Sequence, residues 1–323
     1  MTFNRRTALA AGALGAAAGM MAGARPASAQ AQAGSNNVSF YRFRVGDAVV
    51  TAINDGVFSR PVEGFIRDVA IEDVRAAQTD AFLSTERVTI SISTLVVQTG
   101  GKLVLLDAGL GDNAPPTAGQ WMANFRAAGF DPAQVDVAVI SHFHGDHMGG
   151  LRNKAGDAVF PRAEVKVPAP EWDFWMDDAK AAAAPDGMKP AFANARRVFS
   201  PMARDVARYT WGQEVAPGIT AVAAPGHTPG HTAFALTSGG GRLLVMSDTA
   251  NTPNLFVRNP DWAAAFDMDA DVSRATRHKL LDMAASEKMQ VSFYHAPFPA
   301  TGFIARDGAR RYRMVPAMWM PAT

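Results

Sequence analysis

The chain of 323 residues contains no cysteine, only 7 histidines and almost no net charge. The absence of cysteine excludes disulfide bonds, thiolate nucleophiles, cysteine-held iron–sulfur clusters and thiolate-bound zinc. A formal net charge of +1 gives no electrostatic reason to expect nucleic acid as a partner. Any metal ion must therefore be bound by histidine, carboxylate, backbone or water, so the positions of the few histidines are informative.

The first 29 residues differ in composition from the rest of the chain. Arg5 and Arg6 precede an uncharged stretch rich in Ala and Gly, and Ala27-Ser28-Ala29 is typical of a signal-peptidase cleavage site. The uncharged stretch is short for a bilayer span, which argues against a permanent membrane anchor. We predict a twin-arginine-type signal peptide over residues 1–29, and hence a periplasmic or secreted protein. The alternative is a disordered Ala-rich tail.

Cleavage after residue 29 would remove three arginines and no acidic residue, so the net charge would change from +1 to −2. This change weakens the case for a nucleic-acid partner further. Residues 30–39 are predicted to form a flexible N-terminal segment and residues 40–323 one domain. A chain of this length can bury the core of one large domain, and no linker or short repeat divides it.

Predicted strands and helices alternate through the domain. Alternating or short apolar runs predict strands at 41–45, 48–53, 89–99, 103–106, 135–140, 163–167, 219–223, 232–237, 242–246 and 290–294. Helical spacing predicts helices at 71–84, 121–128, 171–180 and 272–286, with helical pieces within 181–208. This interleaving indicates an α/β domain in which sheets are covered by helices.

A cluster of histidines directly follows the predicted strand 135–140. It reads Ser141-His142-Phe143-His144-Gly145-Asp146-His147. In extended backbone His142 and His144 point to the same side, and Gly145 allows a bend that turns Asp146 and His147 to a neighbouring position. Neutral imidazole and carboxylate suit borderline metals such as zinc. The alternative is a chance group of polar residues on an exposed loop.

Three further candidate ligands also follow predicted strands. His227 lies in Gly226-His227-Thr228-Pro229-Gly230-His231, Asp248 follows strand 242–246, and His295 follows strand 290–294. Each is a weak signal alone, because a polar residue at a strand end is more often structural. Since each lies just beyond the carboxyl end of a strand, one edge of the sheets can bring them to the first cluster.

This order of candidate ligands resembles the metallo-β-lactamase superfamily of hydrolases. The residues that carry the resemblance are His142, His144, Asp146, His147, His227, Asp248 and His295. The resemblance covers about residues 40–315 and implies an αββα sandwich with the site at one edge of the two sheets. It also implies two divalent metal ions, with zinc as the expected metal. By the resemblance, His142, His144 and His227 hold one ion, Asp146, His147 and His295 hold the second, and Asp248 bridges both.

Two metal ions about 3.5–4 Å apart can share a hydroxide, because each lowers the pKa of bound water toward ~7. We expect that hydroxide to attack the substrate, with Asp146 as a candidate for moving a proton to the leaving group. Asp107 and His231 are predicted to support the ligands from behind rather than to bind metal, and a purely structural Asp107 is the alternative. His278 lies in a basic helical stretch and is predicted to be solvated.

The finer resemblance is to methyl parathion hydrolase and related lactonases. It is carried by Glu171-Trp172-Asp173-Phe174-Trp175 and His295-Ala296-Pro297-Phe298-Pro299. It implies a hydrophobic leaving-group pocket with Trp175 and Phe192 as walls. The alternative is that these aromatic side chains only pack a helix onto the core.

The sequence thus predicts an exported dinuclear hydrolase of hydrophobic esters, lactones or phosphotriesters. Two alternatives stay open, namely an acyl-homoserine lactonase acting in quorum quenching and a non-catalytic metal-binding protein. The expected partner is a small hydrophobic ester-like substrate, nucleic acid is not expected, and a homodimer is one candidate assembly.

Overall fold

The structure is a computed structural model that describes Asn37 and residues 39–320. The predicted signal peptide (1–29) and residues 30–36 and 38 of the predicted flexible segment lie outside the described residues. The first strand begins at Phe40, where the sequence predicts that the domain begins.

The helices and strands follow the predicted alternation closely. Within the described residues the strands are β1 (Phe40–Val45), β2 (Ala48–Pro61), β3 (Ile66–Arg67), β4 (Arg87–Thr99), β5 (Lys102–Leu106), β6 (Val137–Val139), β7 (Glu164–Pro168), β8 (Ala207–Tyr209), β9 (Glu214–Ala216), β10 (Ile219–Ala223), β11 (Thr232–Ser238), β12 (Gly241–Ser247), β13 (Ala263–Ala264), β14 (Gln290–Phe293), β15 (Thr301–Arg306) and β16 (Tyr312–Pro316). The α-helices of the same residues are α1 (Ile71–Asp80), α2 (Trp121–Ala127), α3 (Gly145–Met148), α4 (Ala169–Trp175), α5 (Asp178–Ala183), α6 (Lys189–Phe199), α7 (Pro253–Phe256) and α8 (Ala270–Ser286).

Over residues 39–320 the strands form two large sheets and one short pair. The first sheet has the order β1-β2-β4-β5-β6-β7-β8, the second has the order β16-β15-β14-β12-β11-β10-β9, and β3 pairs with β13. Strands β5 to β8 run parallel, and β12 runs parallel to β14. Loops that follow the carboxyl ends of parallel strands emerge at one edge of a sheet, which is where ligands bind in such sheets.

The core has three apolar layers. Side chains such as Val50, Leu95 and Phe234 fill the space between the two sheets. A second layer packs α2, α4 and α6 on the outer face of the first sheet, and a third packs α1, α7 and α8 on the second sheet. The predicted αββα sandwich is therefore confirmed.

A bulge in β2 carries a carboxylate into the interior. The pairing of β2 with β4 shifts between Asn54 and Gly56. Gly56 has φ +109°, and a Cβ there would lie 2.4 Å from the carbonyl oxygen of Thr117, so this position requires glycine. The bulge leaves Asp55 between the two residues, where its side chain is fully buried.

The predicted helix 171–180 is divided into α4 and α5. Asp177 adopts an extended conformation between them, and its side chain accepts a hydrogen bond from the Lys180 N–H. An aspartate in this geometry caps a new helix and ends the preceding one. Strands β8, β9, β15 and β16 were not predicted, because their short or half-exposed segments lack a clear apolar alternation.

Candidate active site

The histidine cluster lies at the carboxyl edge of the first sheet. His142 and His144 occupy the loop after β6, and Asp146 and His147 lie on the short helix α3. His144 is extended (φ −70°, ψ 152°) and directly precedes that helix. The bend comes from this helical turn rather than from a special conformation of Gly145. A Cβ on Gly145 would meet the Asn194 side chain at 3.1 Å, so the glycine permits a close approach.

The structure brings all the predicted metal ligands to this edge. His227 follows β10, Asp248 follows β12 and His295 follows β14, all from the second sheet. These three side chains are buried. The potential ligand atoms form three overlapping groups: His142, His144 and His227; His142, His147 and Asp248; and Asp146, His147 and His295.

Three imidazole nitrogens converge on one point. The Nδ1 atom of His144 lies 3.0 Å from Nε2 of His142 and 3.0 Å from Nε2 of His227. A single nitrogen cannot satisfy both neighbours as hydrogen-bond partners, whereas one cation can accept all three lone pairs.

Asp248 lies between two groups of donors. Its Oδ1 is 3.3 Å from Nε2 of His147, and its Oδ2 is 3.4 Å from Nε2 of His227. The same Oδ2 is 3.1 Å from Nε2 of His295, which in turn lies 3.4 Å from Oδ2 of Asp146. One carboxylate thus contacts histidines of both predicted metal positions.

The donor atoms fit two divalent cations. The Nε2 atom of His147 and Oδ1 of Asp248 are buried and have no hydrogen-bond partner among the described residues. Unsatisfied buried polar atoms are costly and call for an explanation, which a bound cation supplies. The donors are imidazole and carboxylate, the set that zinc and similar borderline metals accept.

Charge coupling favours the metal-binding protonation states of His142, His144 and Asp248. At His147 and His295, burial lowers the pKa, but the neighbouring carboxylates outweigh it and raise the pKa of both rings. Burial and the neighbouring imidazoles lower the pKa of His142 and His144, which keeps both rings neutral. Burial alone would raise the pKa of Asp248, but His295 and His147 outweigh it and hold that pKa well below its usual range. Neutral imidazole and ionised carboxylate are the forms that bind metal.

Asp107 and His231 each form a hydrogen bond to a predicted metal ligand. Asp107 has φ +65°, accepts the Ser141 N–H at 2.7 Å and accepts His147 Nδ1–H at 2.9 Å. His231 donates from Nδ1 to the carbonyl oxygen of Ala224 at 2.8 Å and accepts the Asp248 N–H at Nε2 (3.0 Å). Burial lowers the pKa of His231 to about 3, so this ring is neutral and can accept that hydrogen bond.

A buried ion pair that the sequence did not reveal supports His227. The Nδ1–H of His227 donates to Oδ1 of Asp267 at 3.0 Å, and Arg277 lies 3.4 Å from Oδ2 of the same carboxylate. Burial opposes ionisation of Asp267, but His227 and Arg277 outweigh it and lower its pKa. Arg277 is itself fully buried and also donates to the carbonyl oxygen of Thr249, next to Asp248. Nothing in the sequence pattern distinguishes either residue.

Glu171 joins two of the ligand loops, and it too carried no predicted role. Its Oε2 accepts the Phe143 N–H at 2.9 Å, between His142 and His144. Its Oε1 accepts the Gly230 N–H at 2.6 Å, in the loop of His227. Burial raises the pKa of this carboxyl group. The only sequence signal was its place in the aromatic stretch 171–175.

Asp55 supports the loop that follows Asp107. It accepts the Leu110 N–H at 2.8 Å and the Trp121 N–H at 2.9 Å. Burial raises its pKa to about 6. His278, by contrast, lies away from the donor groups and pairs with Asp261 at 2.8 Å.

An open cleft of about 550 Å³ adjoins the donor groups at Asp146. Phe58 forms one wall and lies edge-on to His295, with 6.0 Å between ring centroids. Trp175 and Phe192, the predicted pocket walls, do not line this cleft. They are buried against each other among the helices outside the first sheet, with the Trp175 ring 6.3 Å from that of His144. Their substrate role stays a prediction.

An αββα sandwich with histidine and aspartate donors at one sheet edge is the architecture of a metal-dependent hydrolase. Residues 88–295 match the family described as the metallo-beta-lactamase superfamily. The chain belongs to this superfamily, and the predicted hydrolase fold is confirmed.

Known relatives and structures agree with this assignment. The N-acyl homoserine lactonase AttM of Agrobacterium fabrum is 30% identical over 130 residues, which cover 39% of this chain and 46% of that protein. The chain thus matches less than half the length of this curated relative. AidC, a dizinc quorum-quenching lactonase in complex with a product, has a TM-score of 0.82 and 25% identity, covering 88% of this chain and 99% of AidC. The hydrolase AbOPH has a TM-score of 0.83 and 25% identity, covering 89% and 100%.

Proposed function

We propose that the chain is an exported, dinuclear metal-dependent hydrolase of hydrophobic esters, lactones or phosphotriesters. The observation that carries this proposal is the position of Asp248, between donors of both predicted metal positions. Another member of the same donor groups, Asp146, lines an open cleft. The dizinc centre named for AidC supports zinc as the metal. A binding protein without catalysis would have no need for a cleft that reaches Asp146.

The side chains of the chain suit hydrolysis of an acyl or phosphoryl ester. When bound, two divalent ions would supply activated water and polarise the oxygen that gains charge. Asp107 and Asp267 each accept the Nδ1–H of a ligand histidine. Each carboxylate thereby leaves the Nε2 lone pair of that histidine free to bind metal. Asp146 reaches the cleft and can pass a proton to the leaving oxygen as the ester bond breaks.

Acyl-homoserine lactones are the second candidate substrates. AttM and AidC, which the chain resembles, are both lactonases of this kind. Water would add to the lactone carbonyl carbon, the ring C–O bond would break, and the alcohol would keep the transferred proton. Phosphotriesters have weaker support than lactones, because AttM and AidC are both lactonases.

A substrate panel on metal-quantified protein tests the proposal. We expect about two divalent ions per chain and turnover of at least one of aryl esters, γ-lactones and aryl phosphotriesters. A protein with both ions that hydrolyses none of the three classes would contradict the proposal. Comparing acyl-homoserine lactones with simple γ-lactones separates the narrower lactonase from the broader hydrolase.

Export is proposed from the N-terminal pattern alone. Among the described residues no helix is long and apolar enough to cross a membrane. We expect the full chain to be found in the periplasm or medium of a Gram-negative host. Replacing the twin arginines (Arg5→Lys with Arg6→Lys) should retain it in the cytoplasm, and equal export of this variant would overturn the twin-arginine route.

A further inference from the structure

We propose that the substrate of this site carries an anionic group remote from the bond that is broken, and that Arg60 and Arg87 bind this group. The inference rests on the proposed hydrolase function and narrows its substrate class. It depends on the composition of the cleft at Asp146, on the partners of the two arginines and on their distance from the donor groups.

The cleft has an apolar wall and a cationic mouth. Phe58, Leu110 and Pro115 supply apolar surface, and Arg60 and Arg87 also line the cleft. Asp146, at the inner end, is the one carboxylate among the residues that line it. A metal-bound Asp146 would have its charge compensated, so the two arginines would dominate the field inside the cleft.

Neither arginine forms an ion pair within the described residues. The Arg60 guanidinium lies 5.7 Å from the centre of the Phe58 ring and contacts no carboxylate. Arg87 donates to Oγ of Ser59 at 2.9 Å and to the Ser59 carbonyl oxygen at 3.0 Å, which fixes its side chain without neutralising it. Two exposed arginines that share a cleft and lack counter-charges form a site for an anion. Their planar donor groups match carboxylate and phosphate oxygens.

The arrangement also sets where the anionic group lies relative to the reacting bond. The Phe58 ring is close to both ends, because its centre lies 6.0 Å from that of the His295 ring and 5.7 Å from the Arg60 guanidinium. Along β4, Ser91 accepts a hydrogen bond from His295, and Arg87 lies four residues away. Four residues of extended strand span about 13 Å. The anionic group is therefore separated from the ester by a short apolar spacer that lies against Phe58.

Two matched 4-nitrophenyl esters test the inference. One is the mono-4-nitrophenyl ester of glutaric acid, which bears a free carboxylate, and the other is 4-nitrophenyl valerate, which is neutral and of similar length. We expect the variant Arg60→Gln with Arg87→Gln to lose about five- to twentyfold in kcat/KM for the charged ester, mainly through KM. Activity on the neutral ester should stay within about twofold.

Single variants and a remote arginine serve as controls. Arg60→Gln is the cleaner single change, because the Arg60 side chain makes no hydrogen bond within residues 39–320. The variant Arg60→Lys with Arg87→Lys should restore most of the preference. Arg204→Gln, in the exposed turn before β8, should leave both esters unaffected. Raising the salt concentration should weaken the preference of the native protein, since exposed charges are screened.

The outcomes separate this inference from the proposed function. Equal losses on both esters, or no loss on either, would overturn the anion site while leaving hydrolysis intact. If neither ester is hydrolysed, calorimetry tests the inference instead. It compares the binding of glutaric acid monoanilide, which carries a carboxylate, with that of neutral valeranilide. A carboxylate preference that disappears in the double glutamine variant supports the anion site, and one that persists assigns the anion to the metal centre and overturns it.

Discussion

Asp248 is the single residue on which the proposed metal centre depends most. It lies within 3.4 Å of Nε2 atoms from His147, His227 and His295. We expect Asp248→Ala to lower kcat/KM on the best substrate by on the order of a hundredfold or more, because both metal positions lose a shared ligand. The measurement is turnover with metal content determined on the same sample.

The exposed Asp307→Ala, in the hairpin between β15 and β16, is the matched control and should keep full activity. Circular dichroism should show that both variants stay folded. Undiminished turnover by Asp248→Ala would refute a bridging role.

Asp55 should make stability depend on pH. Burial raises its pKa from 3.8 to about 6, so the folded state binds this proton more tightly than the unfolded state does. The resulting stabilisation is complete below about pH 3.8 and is lost as the pH rises through about 6. The difference corresponds to about 3 kcal/mol of unfolding free energy.

Asp55→Asn cannot ionise and lacks this dependence. In urea titrations, we expect the native protein to lose stability as the pH is raised from 4 to 7. The free energy of unfolding of the variant should therefore rise relative to that of the native protein. The variant still leaves one of the Leu110 and Trp121 N–H groups without a good acceptor, so it should be less stable than the native protein at pH 4. A difference that stays constant with pH would contradict this account, and Asp307→Asn controls for the loss of one carboxylate.

Site residues that lie close together in the sequence could be predicted, whereas those that meet their partners only in the fold could not. His142, His144, Asp146 and His147 lie within six residues, and residue type with spacing was enough to predict that they meet. Asp267 and Glu171 reach the ligand loops through partners that are 40 and at least 28 residues away in the sequence. Nothing in the sequence distinguishes these two carboxylates from others. Only the structure shows that they are buried and which groups they contact.

At the scale of elements, Glu171 on α4 joins the loop after β6 to the loop after β10. The indole N–H of Trp175 also donates to Oε2 of Glu171, at 2.8 Å. Glu171→Gln keeps the size of the side chain but places an amide N–H₂ opposite a backbone N–H or this indole N–H. At least one buried donor then loses its acceptor, at a cost of about 1–3 kcal/mol. Because the two loops carry His142, His144 and His227, we expect about 10–100-fold weaker metal binding in a chelator competition.

The exposed Glu72→Gln, on the first turn of α1, is the matched control and should bind metal normally. A weaker affinity in Glu171→Gln that is accompanied by unchanged kcat in the fully loaded protein would mark Glu171 as a positioning residue. Native metal affinity would show that the two loops are placed by other contacts.

Helices and strands could be predicted where the apolar pattern is strong and turn or capping residues lie at both ends. The strand predicted at 89–99 is β4 almost to the residue, because its first half alternates and its second half is buried on both faces. The predicted helix 171–180 was wrong at Met176–Asp177, where a capping carboxylate restarts the helix. Edge strands such as β16 bury few side chains, and their pairing with β15 is fixed by the fold rather than by local pattern.

At the scale of the whole molecule, the donor groups join the two sheets. His142, His144, Asp146 and His147 extend from the first sheet, and His227, Asp248 and His295 extend from the second. A hydrogen bond from Ser247 to Ser141, at 2.8 Å between the two Oγ atoms, crosses the same edge. Metal ions at this position would connect the two sheets through their ligands, and their removal should loosen both.

Chelation should therefore lower stability and activity together. If free metal is present at about a thousandfold excess over its dissociation constant, binding stabilises the folded state by about 4 kcal/mol. For a domain of this size, we expect the Tm to fall by roughly 10 °C on chelation and to recover when zinc is restored. Hydrogen exchange should accelerate in the loops after β6, β10, β12 and β14, but not in the β15–β16 hairpin. Because the ligands come from both sheets, loss of metal with an unchanged Tm, or faster exchange confined to one sheet, would show that the ions do not connect them.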